Sequence, residues 1–337
     1  MVADRAERER RIAIVAALSV MLVLTAGPAW GIAFEPPPPP KEERISDITP
    51  AGIDLYRLPD DWQLPGGHIN QKAIVEQQKR RCERINDALG LELQMAETTH
   101  FLIFSNAGPA VSRNFRKWSE ALYRNLTKQF ALSAGERVWD GKCVLLVFRY
   151  RRQFEAYAKR FDGMKAPQRA GAYFAIEGHS QGMPNLTHIC VPIDTENPRR
   201  LQELFAHEGT HAFFELYKSQ GHLPLWLHEG LAEFMTTVND RSLRKQKWPP
   251  ARRVGQSGRS IQSMFQVPTG GGLSLTEYRV ALTLVDFLLE AGRPKFKQFV
   301  DNLKDGKPQE EALKDAYGWD LKDLETRWRL YVTRAGP

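Results

Sequence analysis

The spacing of apolar positions along the chain changes at about residue 197. Before it, short apolar runs typical of buried strands alternate with segments that have apolar positions at helical spacing. After it, the spacing is almost wholly helical. The strand candidates are residues 100–105, 142–149, 171–176 and 188–193, and the helix candidates are residues 71–89, 110–132 and 153–161. Strands first and helices afterwards predict an α+β fold.

The first 66 residues have a different organisation. Arginines precede an apolar run over residues 12–26, and small residues follow the run. This order is that of a secretory signal peptide over residues 1–31, although residues 12–30 could also stay as an uncleaved membrane tether. Residues 32–66 begin with a proline-rich spacer, residues 36–40, and continue as an irregular lead-in. We therefore expect an exported protein that is periplasmic, extracellular or held at the membrane by its signal.

The rest of the chain, residues 67–337, is predicted to form one domain with an α+β part, residues 67–197, and a helical part, residues 198–337. That length is ample for a buried core. The composition, 42% hydrophobic and 26% charged, excludes a chain that is disordered throughout. A multi-span membrane protein is excluded as well, because the chain has one long apolar run.

Cysteine content and charge exclude further classes. Cys82, Cys143 and Cys190 are far apart and form no CxxC pattern, which argues against a cysteine-based metal cluster and leaves their pairing open. The net charge is +7, but the basic residues are scattered and alternate with acidic ones. We therefore interpret them as solvated faces and expect no nucleic-acid partner.

One short segment carries a pattern with specific chemistry. His207 and His211 lie four residues apart in a predicted helix, so their rings project from one side of it, and Glu208 lies beside them. Zinc binds neutral imidazole nitrogens at ~2.0–2.1 Å and lowers the pKa of a bound water toward ~7. A nearby carboxylate can then act as general base. The H-E-x-x-H pattern therefore predicts a Zn²⁺ site with Glu208 as the base, although so short a pattern also arises by chance.

The third ligand is predicted in a different helix. Phe214 and Tyr217 stand where the metzincin pattern needs Gly and His, which excludes that arrangement. A turn then leads into a second helical segment, residues 226–235, which contains Glu229 eighteen positions after His211. Glu229 is therefore available as a ligand from outside the first helix.

The letters around Glu229, W-L-H-E-G-L-A-E-F, resemble the glutamate-zincins, the group that contains thermolysin and aminopeptidase N. The resemblance implies that Glu229 is the third zinc ligand, with a spacing one residue shorter than in the aminopeptidase N branch. It also implies that Glu233, one helical turn further on, orients a histidine ligand through a hydrogen bond. An exposed helical glutamate is the alternative interpretation of Glu233.

A looser resemblance extends over roughly residues 95–333. The segments H-F-L-I-F-S, F-R-Y-R-R-Q-F-E-A-Y and A-G-A-Y-F, with the two motif helices and the tail at residues 310–331, are similar to the peptidase-MA-like domains of exported bacterial proteins. The resemblance implies a zincin-like fold in which a small mixed sheet precedes the helices. It implies that the strand at residues 188–193 is an edge strand that pairs with an extended peptide. It also suggests that Tyr278 donates a hydrogen bond to the reacting oxyanion, although a tyrosine packed at a helix start is the commoner explanation.

The other histidines are weaker candidates. His222 and His228 could each replace a ligand, whereas His100, His179 and His188 are more typical of hydrogen-bonded core or loop histidines.

These features predict a zinc-dependent peptidase that acts on a peptide or protein substrate. No G-A-M-E-N-like stretch is present to hold a free amino terminus, which favours an endopeptidase over an aminopeptidase. Two alternatives stay open, a non-catalytic zincin-fold binding protein of the cell envelope and a metal-dependent hydrolase of another amide. The intact Glu208 argues against the first alternative, because a binding protein needs no general base there.

Overall fold

A computed structural model describes residues 58–130, 132, 137–166, 168, 170–177, 184–219, 221–334 and 336. The predicted signal at residues 1–31, its tether at residues 12–30, most of the lead-in and His179 lie outside these described residues. Within them, no helix combines the length and the apolar character that crossing a bilayer requires.

The amino-terminal part contains three helices and five strands among the described residues. In chain order they are α1 (Gln71–Leu89), β1 (Gln94–Glu97), β2 (Phe101–Ser105), α2 (Pro109–Gln129), β3 (Cys143–Phe148), α3 (Arg151–Arg160), β4 (Tyr173–Glu177) and β5 (Leu186–Pro192). The strands form one mixed sheet in the order β1-β2-β3-β5-β4. Neighbours β2, β3 and β5 are parallel, whereas β1 and β4 pair antiparallel at the two edges. The observed sheet and helices before residue 197 agree with the predicted α+β fold.

The strand expected at the edge lies inside the sheet. β5 contains the predicted residues 188–192 and has β3 on one side and β4 on the other. The edge prediction was wrong because β4 folds back antiparallel onto β5, with Tyr173 opposite Cys190. β1 was not predicted, since its short sequence is mostly exposed and carries no apolar run.

Two apolar cores cover the two faces of the sheet. Side chains on one face, such as Leu145, pack with α2 and the helical half, and those on the other face, such as Leu146, pack with α1 and α3. The helices that follow the adjacent strands β2 and β3 therefore leave the sheet toward opposite faces.

The carboxy-terminal part is helical, as the apolar spacing predicts. It consists of α4 (Pro198–Leu216), α5 (Leu225–Thr237), α6 (Arg241–Ser257), a 3₁₀ turn (Gln262–Gln266), α7 (Leu275–Ala291), α8 (Arg293–Lys304), α9 (Gln309–Tyr317) and α10 (Leu321–Arg334). α4 packs on the sheet, and α5 lies between α4 and α7 with every one of its residues buried. The sequence of α5 is so apolar because the helix is enclosed on all sides. The packing of α5 on α4 also brings the two motif helices into direct contact.

Candidate metal centre

Helix α4 presents both motif histidines from its buried interior turns. Asn197 caps the helix, because its side chain accepts a hydrogen bond from the backbone N–H of Arg199 at 3.0 Å. From this start, His207 and His211 fall one turn apart, and their Nε2 atoms are 3.1 Å apart. Both side chains are almost fully buried. The local sequence therefore places two imidazole nitrogens side by side, as the spacing predicts.

Glu229 on α5 completes a triangle of donor atoms. Its Oε2 lies 3.5 Å from His207 Nε2 and 3.4 Å from His211 Nε2. Two ligands bound to zinc at ~2.0–2.1 Å with a tetrahedral angle stand roughly 3.3 Å apart, so the three observed distances fit one tetrahedral ion. Glu229 Oε2 is buried and makes no hydrogen bond within the described residues, an atom that a cation would satisfy. These three side chains form a group that could hold a metal ion.

The charges in this triangle depend on one another. Burial opposes ionisation of Glu229, but the adjacent His211 and His207 hold the pKa of its carboxyl well below the usual range. Burial opposes protonation of His207 too, yet the Glu229 carboxylate raises the pKa of His207 to about 8. His211 responds in the opposite direction, because burial outweighs Glu229 and lowers its pKa. The site therefore combines a carboxylate with two imidazoles, the donor set that suits zinc.

Glu208 lies beside the donor triangle on the same helix. Its side chain is buried, and Oε2 has no hydrogen-bond partner within the described residues. Burial raises the pKa of Glu208 to about 8, because a carboxylate loses solvation there. A carboxyl group with such a pKa can accept and return a proton near neutral pH.

Glu233 lies behind His207 and is held by two cations. Its Oε1 is 3.6 Å from His207 Nδ1, the nitrogen that faces away from the donor triangle. Its Oε2 is 3.0 Å from Lys247 Nζ on α6 and also pairs with the Arg279 guanidinium on α7. Glu233 is therefore buried rather than exposed, and two positive charges compensate its negative charge beside the His207 ring.

Lys247 and Arg279 were not found by sequence reasoning. They come from two helices that lie well beyond the motif, and neither stands in a recognisable local pattern. Lys247 is 3% exposed on a helix that is otherwise mostly polar. A buried lysine of this kind points to a buried partner, but its burial is visible only once the helices are packed.

His228 and His222 both lie outside the donor triangle. His228 Nε2 is 3.2 Å from His211 Nδ1, on the side of the ring opposite to Glu229. His222 Nδ1 is 3.0 Å from Glu215 Oε1. His228 therefore contacts a proposed ligand instead of replacing one.

Tyr278 stands in the first turn of α7 and is half-buried. Burial raises the pKa of its phenol, and the charges of Glu229, Glu233 and Glu208 raise it further. The hydroxyl is thus protonated and lies close enough to the site to be affected by its three carboxylates.

A second group of potential ligands has a different character. Asp162, His188 and Cys190 are buried near β5, on the sheet face away from α4. Asp162 Oδ2 already accepts hydrogen bonds from Tyr173 Oη at 2.6 Å and from His188 Nε2 at 2.8 Å, and burial raises the pKa of the Cys190 thiol. We interpret this group as a hydrogen-bonded core network, the environment expected for His188.

The same interpretation holds for His100, which pairs with Glu120 at 2.8 Å. Cys143 and Cys190 lie on opposite faces of the sheet, and no disulfide joins them.

Comparison with known proteins finds a family model that covers the region of this site. A family model described as the peptidase MA superfamily matches residues 178–334, a range that includes the donor triangle, Glu208 and Tyr278. A search of curated proteins finds no match. The match supports a relationship of residues 178–334 to the peptidase MA superfamily. This relationship points to a hydrolase of the metallopeptidase type.

Proposed function

We propose that this protein is a zinc-dependent peptidase. The observation that carries the proposal is the donor triangle of His207, His211 and Glu229, with the buried carboxyl group of Glu208 beside it. These three residues would hold the zinc ion. When bound, zinc would polarise the scissile carbonyl and lower the pKa of a nearby water.

Glu208 moves the proton in this proposal. Its carboxylate accepts a proton from the attacking water while the water oxygen bonds to the peptide carbonyl carbon. The carbon–nitrogen bond then breaks, and Glu208 returns the proton to the leaving amine nitrogen. In this proposal, the phenol of Tyr278 donates a hydrogen bond to the oxygen that gains negative charge.

Substrate binding is proposed along the β4 edge. Within the described sheet β4 pairs with β5 alone, and α4 packs against β4. The Phe174 ring on β4 stacks on His211 with centroids 5.9 Å apart, which puts this edge next to the donor triangle. An extended peptide added beside β4 would pass the site with chain on both sides of the bond, which supports an endopeptidase.

Replacing Glu208 by Gln separates catalysis from metal binding. Glu208→Gln should keep about one zinc per chain and an unchanged melting temperature, but hydrolysis of an unfolded labelled casein should fall by at least ~10²-fold, because the base is lost. His211→Ala should lose both zinc and activity. Glu290→Gln, an exposed position on α7, is the matched control and should retain both.

The zinc contents and the hydrolysis rates together distinguish the competing functions. Equal rates for the parent and Glu208→Gln would overturn the mechanism. Full zinc content in His211→Ala would overturn the ligand set. A parent protein that binds zinc but cleaves no peptide in a broad library would support a binding protein instead.

We also propose that residues 1–31 direct export and that the chain works outside the cytoplasm. The support is the order of basic, apolar and small residues at the start of the sequence. Cell fractionation with mass spectrometry of the mature amino terminus would distinguish a cleaved signal from a retained tether, and a cytoplasmic full-length chain would contradict export.

A further inference from the structure

A cavity of about 660 Å³ opens at one end of the sheet, away from the metal centre. Ser105 and Asn106 line it at the carboxyl end of β2, and Arg149 and Tyr150 line it at the carboxyl end of β3. The cavity shares no residue with the donor triangle or with Glu208. Its volume falls within the ~300–1,000 Å³ that small-molecule sites occupy.

The position of this cavity follows from the topology of the sheet. Strands β2 and β3 are parallel neighbours, and the helices that follow them, α2 and α3, pack on opposite faces. A crevice therefore opens between the carboxyl ends of the two strands. In open sheets with parallel strands, ligands commonly bind in a crevice outside the carboxyl ends of the strands.

The loops that form the crevice are tied to each other. Asn106 Oδ1 accepts a hydrogen bond from the Arg149 backbone N–H at 2.8 Å, and Asn106 Nδ2 donates to Gln153 Oε1 at 3.0 Å. One side chain thus links the end of β2 to the end of β3 and to the start of α3. The lining of the cavity is preformed, which lowers the entropic cost of binding a ligand.

Three arginines make the cavity strongly basic. Arg113, Arg116 and Arg149 line it, and none of them forms an ion pair with a carboxylate among the described residues. Glu92 is the one acidic residue in the lining, so three positive charges and one negative charge leave +2.

Nearby carboxylates do not neutralise this charge. Glu97 pairs with Lys79 and Lys142, at 2.9 and 2.8 Å, and Glu120 pairs with His100 at 2.8 Å. The three guanidinium groups therefore remain available to an anion from solution. Guanidinium groups bind phosphate through paired hydrogen bonds.

The lining of the cavity is also partly apolar. Leu91, Met95 and Pro109 line it, and Met95 is 50% exposed, unusual for a large hydrophobic side chain. Tyr150 also lines the cavity, with the Arg149 guanidinium 5.4 Å from its ring centroid. A ligand with an anionic end and an apolar or aromatic body would find partners for both parts in this lining.

We propose that this cavity binds a phosphate monoester carried on an apolar body. A phosphate monoester carries about −1.5 to −2 charge near neutral pH, which matches the +2 of the lining, whereas a single carboxylate does not. The site is separate from the proposed peptidase centre and does not depend on its assignment. A soluble ester and the headgroup of phosphatidic acid share this chemistry.

The test measures phosphate-ester binding to the full mature chain by titration calorimetry with phenyl phosphate. The parent should bind it saturably. The double variant Arg113→Gln/Arg149→Gln should bind at least about tenfold more weakly, since two charge-assisted contacts are lost. Arg253→Gln removes an exposed arginine on α6 and should bind like the parent. Sedimentation with phosphatidylcholine vesicles, with and without phosphatidic acid, shows whether the lipid form binds as well.

A second variant tests the cavity without changing its charge. Ser112 lines the crevice, so Ser112→Phe should fill it and weaken phenyl phosphate binding while the arginines stay in place. The proposal is overturned if neither probe binds saturably, if the double variant binds like the parent, or if Arg253→Gln loses as much affinity. Parent-like binding by Ser112→Phe would also overturn it, because the ester would then lie outside the cavity.

Discussion

Each proposed histidine ligand has a partner behind its ring. His207 Nδ1 faces the Glu233 carboxylate at 3.6 Å, and His211 Nδ1 lies 3.2 Å from His228 Nε2. A histidine that binds a metal through one nitrogen usually donates its other N–H to an acceptor, which fixes the tautomer and the ring orientation. A carboxylate is the common acceptor, whereas at His211 this role falls to the Nε2 atom of a second histidine. His228 is therefore a positioning residue for His211 in the proposed site.

Replacing His228 should weaken zinc binding although it is not a ligand. His228→Ala removes the acceptor behind His211, and we expect zinc affinity to fall ~10–100-fold in a chelator competition assay. His228→Gln keeps a carbonyl acceptor and should recover part of the affinity. His222→Gln changes the exposed histidine in the loop before α5 and should bind zinc like the parent. Parent-like affinity in His228→Ala would contradict this role.

At the scale of the elements, one glycine determines how closely two helices approach. Gly230 follows Glu229 on α5, and a Cβ atom added there would stand 2.6 Å from the Ala281 carbonyl oxygen on α7. That neighbour is backbone, so it cannot move aside as a flexible side chain can. The absence of a side chain at Gly230 therefore sets the approach of α5 to α7 and the position of Glu229 next to it.

Gly230→Ala should destabilise the protein despite the better helix propensity of alanine. Alanine gains roughly 0.5–1 kcal/mol inside a helix, but overpacking against backbone costs about 1–3 kcal/mol, so a net loss is expected. Chemical denaturation of the apo protein should show a lower midpoint. Gly272→Ala is the control, because a Cβ atom added at Gly272 would have no neighbouring atom within 4 Å. A Gly230→Ala midpoint equal to or above that of the control would show that the helices can separate at no cost.

At the scale of the whole molecule, acid stability should depend on one link between the sheet and α2. Glu120 on α2 accepts hydrogen bonds from the His100 backbone N–H and ring, both at 2.8 Å, just before β2 begins. Partial burial alone would raise the pKa of Glu120. The hydrogen bonds from His100 outweigh that burial and lower the pKa to about 2.

The sign of the pH dependence follows from this lowered pKa. Glu120 holds its proton more tightly in the unfolded chain than in the folded one. Its carboxylate therefore stabilises the fold above pH ~4.5, and this contribution disappears as the pH falls toward 2. Solvent screening limits it to at most about 1 kcal/mol. The free energy of unfolding of the parent should exceed that of Glu120→Gln at pH 6, and the difference should shrink at pH 3. A difference that is constant with pH would contradict this link.

Much of the fold was predictable because its signals are local. The strands at residues 101–105 and 143–148 are apolar runs buried on both faces, and α4 begins at a capping Asn197 followed by proline. The order of the strands was not predictable in the same way. The short polar β1 has no apolar signal, and the antiparallel return of β4 onto β5 depends on pairing that no local pattern records.

The sequence by itself determined the elements and the common side on which His207 and His211 project, because a helix repeats its geometry every few residues. The tertiary structure decided what joins them. Glu229 reaches the histidines through the packing of α5 on α4, and Lys247 reaches Glu233 from α6. The basic cavity at Arg149 exists because neighbouring strands send their helices to opposite faces. These features depend on side chains that are distant in sequence and meet only when the elements pack, so no periodicity along the chain could reveal them.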